Sequence, residues 1–139
     1  MDCFDADALI YAAVPGHPLG RRVKAMFAIS MASGTAGGGS LLLLPEILGK
    51  PLREGQQAEI EALLWFIARL ELLPVDRATA ELATALCARY RLRTADAVHL
   101  ATAVIAGADR FITNNQRDFG KTINEVDIVY PADLPDPGA

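Results

Sequence analysis

Short apolar runs and amphipathic stretches take turns along this chain. Cys3-Phe4-Asp5 reads as the end of a short buried strand, and the helix-competent run Ala8 to Val14 stops at Pro15-Gly16. A second helix is predicted over Pro18 to Ala32, with Val23, Met26, Phe27 and Ile29 as an apolar stripe opposite Arg21, Arg22 and Lys24. Gly34 to Ser40 reads as a flexible loop, too short for a domain linker and without the Lys-Ser/Thr ending of a phosphate loop. Ser40 to Leu44 is apolar and of strand length, as a central parallel strand should be. Pro45 then opens a short helix through Leu48.

The second half is more periodic. Ile60, Leu63, Leu64, Ile67 and Leu70 recur at helical spacing within a predicted helix 54–70, followed by a brief strand 71–73. Asp76 is placed to cap a helix over 77–90, and Thr94 to cap another over 95–106 that Gly107 closes. Strands are expected at Arg110 to Thr113 and Asp127 to Tyr130. Strands alternating with helices in this way predict an α/β fold with a mostly parallel central sheet.

Composition narrows the class. A chain of 139 residues is expected to form a single domain over 1–139 without disulfide or structural metal. Hydrophobic residues at 52% and a mean hydropathy of +0.24 exclude intrinsic disorder. Thirteen Lys plus Arg against 17 Asp plus Glu give a formal charge of -4, so a whole-surface basic field for nucleic acid is absent, though a local groove is not. Cys3 and Cys87 make neither a disulfide framework nor a zinc spacing, and read as small buried thiols of a reducing cytosol. The N-terminus carries Asp2 and Asp5 rather than a basic leader, and apolar runs such as Leu41 to Pro45 are too short for a bilayer. A soluble, cytoplasmic protein with no membrane partner is expected.

The acidic residues fall at telling positions. In a parallel α/β sheet, ligands bind at the carboxyl ends of strands. Asp5 follows the first strand, Glu46 follows the Leu41–Leu44 run, Asp118 lies beyond the strand ending at Thr113, and Asp96 sits in a helix first turn otherwise built of apolar residues. Each has an ordinary explanation: Asp96 and Glu46 complement a helix dipole, and Asp118 is a surface loop acid. Together they predict one site. Carboxylates ~4 Å apart repel by about 4 kcal/mol at an effective dielectric near 20. Such a cluster protonates or recruits a cation, and oxygen-only ligands suit Mg²⁺ or Mn²⁺ over zinc. A hard cation among carboxylates suits phosphodiester chemistry.

On these residues the sequence resembles the PIN-domain ribonucleases, and among them the VapC-type toxins of bacterial toxin–antitoxin pairs. Phe4-Asp5-Ala6-Asp7-Ala8-Leu9-Ile10-Tyr11 is similar to the family's opening strand and turn, and Leu44-Pro45-Glu46-Ile47-Leu48 to the segment carrying its Glu. Ala95-Asp96-Ala97-Val98-His99-Leu100-Ala101 resembles its Asp-Ala-x-His-x-Ala helix, and Phe111-Ile112-Thr113-Asn114-Asn115-Gln116-Arg117-Asp118-Phe119 its last motif. The resemblance implies a three-layer α/β/α fold and an Mg²⁺- or Mn²⁺-dependent endoribonuclease. It makes Asp5, Glu46, Asp96 and Asp118 metal-binding, catalytic acids, with Thr113, Asn115 and Asp7 supporting them. Relatives often carry Asp where this chain has Asn115, which leaves the fourth acid to Asp118 or effectively absent; Asp7 stands where many have Asn. The resemblance also implies a homodimer and an antitoxin protein that lays a segment into the groove near Asp5, Asp96 and Arg21–Lys24.

His99, one helical turn beyond Asp96, reads as a core histidine rather than a general base. Trp65-Phe66 reads as core or dimer contact rather than a base-stacking platform. Arg21, Arg22 and Lys24, with Arg89, Arg91 and Arg93, are either solvated surface or a rim that guides RNA phosphates to the acids. Two alternatives stand beside the nuclease. One is a degenerate PIN-like binding module. The other is a haloacid-dehalogenase-type phosphatase using Asp5 as nucleophile, for which Lys50 and Lys121 are poorly placed.

Overall fold

The computed structural model describes residues 1–30 and 34–138. The chain runs β1 (Asp2–Phe4), α1 (Ala6–Ala13), α2 (Pro18–Ser30), β2 (Gly37–Ser40), α3 (Leu43–Glu54), α4 (Gln57–Ile67), β3 (Leu70–Leu73), α5 (Arg77–Tyr90), α6 (Thr94–Ile105), β4 (Arg110–Ile112) and β5 (Asp127–Val129). A short 3-10 turn, Pro131–Asp133, follows. The five strands pair in the order β3-β2-β1-β4-β5, every pairing parallel. The expected mostly parallel sheet is therefore wholly parallel among the described residues. The end of the predicted second helix, Met31-Ala32, lies outside them.

Helices cover both faces of the sheet, giving three layers. One core gathers Leu9, Val23, Phe27, Leu43, Leu63 and Phe66 from α1 to α4 under Phe4 and Ile112. The other gathers Leu86, Leu100, Phe119 and Ile128 around Cys3 and Phe111. Cys3 is buried as expected, while Cys87 is half-buried.

The largest correction concerns β2. The strand is Gly37-Gly38-Gly39-Ser40, a stretch the sequence predicts as a loop, while of the predicted strand Leu41–Leu44 the first two residues are a turn and Leu43-Leu44 open α3. The cause is close packing. A Cβ on Gly37 would collide with the Asp2 carbonyl oxygen, and one on Gly38 would stand 3.1 Å from the Met1 side chain. A strand built of three glycines and a serine shows no hydropathy signal. Leu43, freed from the strand, joins Ile47 and Pro51 on the buried face of α3.

Smaller corrections follow local chemistry. Gly55 at φ 64° ends α3, so the predicted helix 54–70 begins only at Gln57, and Leu70 belongs to β3. Asp76 caps α5 as expected, accepting hydrogen bonds from the Thr79 backbone N–H and hydroxyl, each at 2.9 Å. Thr94 is not a cap: Arg93 holds that position in α6 without a side-chain hydrogen bond. Ile29 leaves the predicted stripe and is 81% exposed.

Candidate active site

The chain returns to the sheet centre between β1 and β4, where the strand order reverses. Cleft-forming ligand sites lie at the carboxyl ends of strands at such a point. The Asp5 backbone N–H donates to the Ile112 carbonyl at 2.9 Å, which extends the β1–β4 pairing to the edge. Asp5 then serves as the N-cap of α1, its Oδ1 accepting from the Ala6 N–H at 2.9 Å. Its Oδ2 accepts from the Thr113 hydroxyl at 2.7 Å, and Thr113 is fully buried. Asp5 is only 5% exposed.

Asp5, Asp7, Glu46, Asp96 and Asn115 line one cavity of about 280 Å³ with Ala6 and Ile10. Asp7, in the first turn of α1, accepts the Asn114 backbone N–H with both carboxylate oxygens, at 3.1 and 3.2 Å. Asp118 is not among the lining residues; it accepts a 2.9 Å hydrogen bond from the Asn115 side-chain amide. Its negative field nonetheless reaches Asp96.

Burial and mutual repulsion lift these acids. Asp5 is held above its ordinary value chiefly by burial, with Asp96 adding to it, against the opposing field of His99 and the Thr113 and Ala6 hydrogen bonds. Asp7 is pushed up to about 6 by burial and by the Asp5 and Glu46 charges, against the Asn114 and Ala8 backbone hydrogen bonds. Asp96 rises through burial and the charges of Asp118 and Glu46, with His99 and Arg93 opposing.

One member of the cluster is expected from sequence to be a core residue rather than a general base. His99 is buried, as expected, yet its Nε2 hydrogen-bonds Glu46 Oε2. Burial pulls its imidazole down, but the Glu46 hydrogen bond and the charges of Asp5, Glu46 and Asp96 outweigh it, so His99 ends above its ordinary value. The available signal was the three-residue spacing from Asp96, which puts both on one face of α6.

The basic residues divide. Arg93 precedes α6 and its charge is felt at Asp96. Arg89 pairs with Glu125 at 2.9 Å, and Arg91 takes the left-handed C-cap of α5. Arg22 is engaged by the Ala132 and Leu134 carbonyls at 3.1 and 2.7 Å, so it is no free rim cation. Arg21 and Lys24 line a different and larger cavity, of about 620 Å³, with Glu61, Trp65 and Phe66. Trp65 and Phe66 thus split between that cavity and the core.

Among the described residues, no three His, Cys, Asp or Glu side chains converge tightly enough to grip one metal ion as they stand. The donor chemistry nevertheless suits a hard divalent cation: the cavity wall offers four carboxylates, three of them held above their ordinary values. No helix among the described residues is long and apolar enough to cross a membrane.

Comparison with known proteins bears on this arrangement. The family pattern for the PIN domain matches residues 3–124. No curated protein sequence matches the chain. Solved structures share the fold, three of them as follows. A chain of a toxin–antitoxin complex from Klebsiella pneumoniae has a TM-score of 0.72 at 24% identity, with 94% of this chain and 98% of that one covered. A chain of VapBC2 from Rickettsia felis, bound to a DNA fragment from its promoter, has a TM-score of 0.74 at 17% identity, covering 93% and 97%. A chain of FitAB bound to an IR36 DNA fragment has a TM-score of 0.68 at 19% identity, covering 97% and 98%.

Proposed function

The chain belongs to the PIN domain family, and from that premise we propose that it is an Mg²⁺- or Mn²⁺-dependent endoribonuclease and the toxin of a toxin–antitoxin pair. One observation carries the reading: carboxylates from three separate segments, Asp5 and Asp7, Glu46, and Asp96, line a single cavity at the switch point of a parallel sheet.

Asp5, Asp96 and Glu46 would hold the ion, with Asp118 acting on Asp96 from outside the cavity. The ion supplies Lewis acidity toward a phosphate oxygen and an attacking water. Asp5 is fixed by two hydrogen bonds, so its remaining lone pairs are presented to the cavity without rotamer freedom. Thr113 holds that orientation and itself accepts the Asn115 N–H at 3.1 Å, which ties the last loop to the site. Asp7 adds negative charge at the cavity edge. Arg93, close enough for its charge to be felt at Asp96, would attract a phosphate of the RNA backbone.

The structural neighbours, chains of a toxin–antitoxin complex, of VapBC2 and of FitAB, support a protein partner. α1 links both cavities: its N-terminal half lines the acidic one through Ile10, and its C-terminal end lines the larger one from Ala12. An antitoxin segment laid along α1 would meet the acids at one end and Arg21, Lys24 and Trp65 at the other.

Asp96→Asn tests the nuclease. It keeps shape and removes charge, so it should cut RNA cleavage in Mn²⁺ by more than about 100-fold while leaving the circular dichroism spectrum unchanged. It should also abolish growth arrest on expression. Cleavage at the wild-type rate overturns the assignment. A second reading, a binding module without catalysis, draws on Asp118 being engaged by Asn115. It predicts no cleavage by the wild-type chain at all, and no metal response.

A further inference from the structure

We propose that His99 is a positioning residue that orients Glu46 toward the metal site, by an Nε2–H to Oε2 hydrogen bond that joins the two helical layers across the edge of the sheet. The inference rests on the metal-dependent reading above and deepens it, because family resemblance supplies the acids but gives His99 no task.

Four observations carry it. Glu46 sits in the first turn of α3, whose buried face belongs to one core, while His99 belongs to α6, packed in the other. Their contact is thus the point at which the layers meet over the C-terminal ends of the strands. Second, the two partners are unlike in exposure. The His99 side chain is 1% exposed and held by packing on every side, whereas Glu46 is 35% exposed on a long stem. In such a pair the rigid member sets the position of the flexible one, and the gain is in rotamer freedom removed before the ligand arrives. Third, only Oε2 of Glu46 is engaged; Oε1 makes no hydrogen bond among the described residues, and Glu46 lines the acidic cavity. A carboxylate pinned through one oxygen presents the other in a fixed direction. Fourth, the Nδ1 atom of His99 is buried without a hydrogen-bond partner. A buried polar atom left unpaired lowers stability, so an apolar residue would serve the core better there. The one hydrogen bond that the His99 imidazole makes among the described residues goes to Glu46 and none to the core around it, which fits a role at Glu46 and not a structural one.

The same donor geometry fixes the prediction. An imidazole donating through Nε2 can be replaced by the amide of Gln, which reaches as far, but not by Asn, which stops short, nor by Leu, which fills the space without a donor. Groups that orient a metal ligand contribute about 10- to 100-fold to metal affinity.

The experiment is a Mn²⁺ titration of the full chain, read by isothermal calorimetry and by the rise in Tm, beside RNA cleavage at saturating Mn²⁺. His99→Leu is expected to weaken Mn²⁺ binding by about 10- to 100-fold, with a Tm in EDTA equal to or above that of wild type. His99→Gln should stay within about threefold of wild type, while His99→Asn should follow the Leu variant. In a Glu46→Gln background, His99→Leu should cost no further affinity, since the two act as one unit. Wild-type Mn²⁺ affinity in His99→Leu overturns the positioning role, as does additivity in the Glu46→Gln background. If His99→Leu does not fold, the Gln and Asn pair decides: equal affinities in the two overturn it. A wild-type chain that cleaves RNA but ignores these substitutions refutes the inference alone. One that neither binds Mn²⁺ nor cleaves refutes the nuclease reading with it.

Discussion

Asp7 shows at the residue scale what an acidic cavity does to a carboxyl on its wall. Its carboxyl is pushed up to about 6, first by burial and then by Asp5, from an ordinary value of 3.8. A carboxyl with a raised folded-state pKa favours the fold fully below its unfolded value, and that contribution is lost as pH rises through the folded one. The window is therefore about pH 4 to 6, and Asp7 accounts for roughly 1–3 kcal/mol across it. Asp5 and Asp96 shift in the same direction. The metal-free protein should accordingly melt at lower temperature at pH 7.5 than at pH 5. Asp7→Asn, which can still accept the Asn114 N–H, should raise the Tm at pH 7.5 in EDTA and change little at pH 4. A wild-type Tm that is flat with pH would contradict this. Legibility at this scale followed chain position. Asp5, Glu46 and Asp96 could be read because each stands at a strand end or helix start, where an acid needs a reason. The His99–Glu46 contact spans 53 residues of sequence, so nothing local announced it. Sequence leaves Arg22 open between solvated surface and rim because its partners, Ala132 and Leu134, lie 110 and 112 residues away.

At the scale of elements, helices with side-chain signals were legible and the glycine strand was not. α5 was bounded correctly by Asp76 and the Leu82–Leu86 stripe, since its cap and its periodicity are both local. β2 carries its information in what is missing: the sheet needs Gly37 because the Asp2 carbonyl occupies the space of a Cβ and because φ there is 150°. Hydropathy then pointed to the next apolar residues, which belong to α3. The consequence is a contrast between two glycines. Gly37→Ala should lower stability by about 2 kcal/mol or more, through both the collision and the backbone strain. Gly49→Ala, in the interior of α3 with nothing within 4 Å of a new Cβ, should raise it by about 0.5–1 kcal/mol. Urea denaturation of the two variants measures both. Equal effects would place β2 wrongly, and Glu46 with it, because α3 begins only two residues beyond the strand's last pairing turn.

For the molecule as a whole, the sheet order and the double helical cover explain why the acids meet where they do, and α4 is among the helices they leave incompletely covered. α4 buries Ile60, Leu63, Phe66 and Ile67, yet Leu64 is 45% and Trp65 39% exposed on the same helix. The Arg69 guanidinium lies 3.6 Å from the Trp65 ring centroid and its Nη1 bonds the Trp65 carbonyl at 2.7 Å, so the indole is held in place with one face shielded by a cation. A fixed aromatic beside an exposed leucine is the composition of an interface centre rather than of ordinary surface. We propose that the homodimer implied by family resemblance seats on Leu64 and Trp65; because Trp65 also lines the Arg21–Lys24 cavity, only the acidic cavity would then stay wholly free. Sedimentation at tens of micromolar should show a dimer for the wild-type chain. Leu64→Glu should shift it toward monomer, while RNA cleavage by that variant persists, since Leu64 lines neither cavity. A wild-type chain that sediments as a monomer removes the dimer without touching the nuclease. A dimer indifferent to Leu64→Glu moves the interface to another face of the molecule.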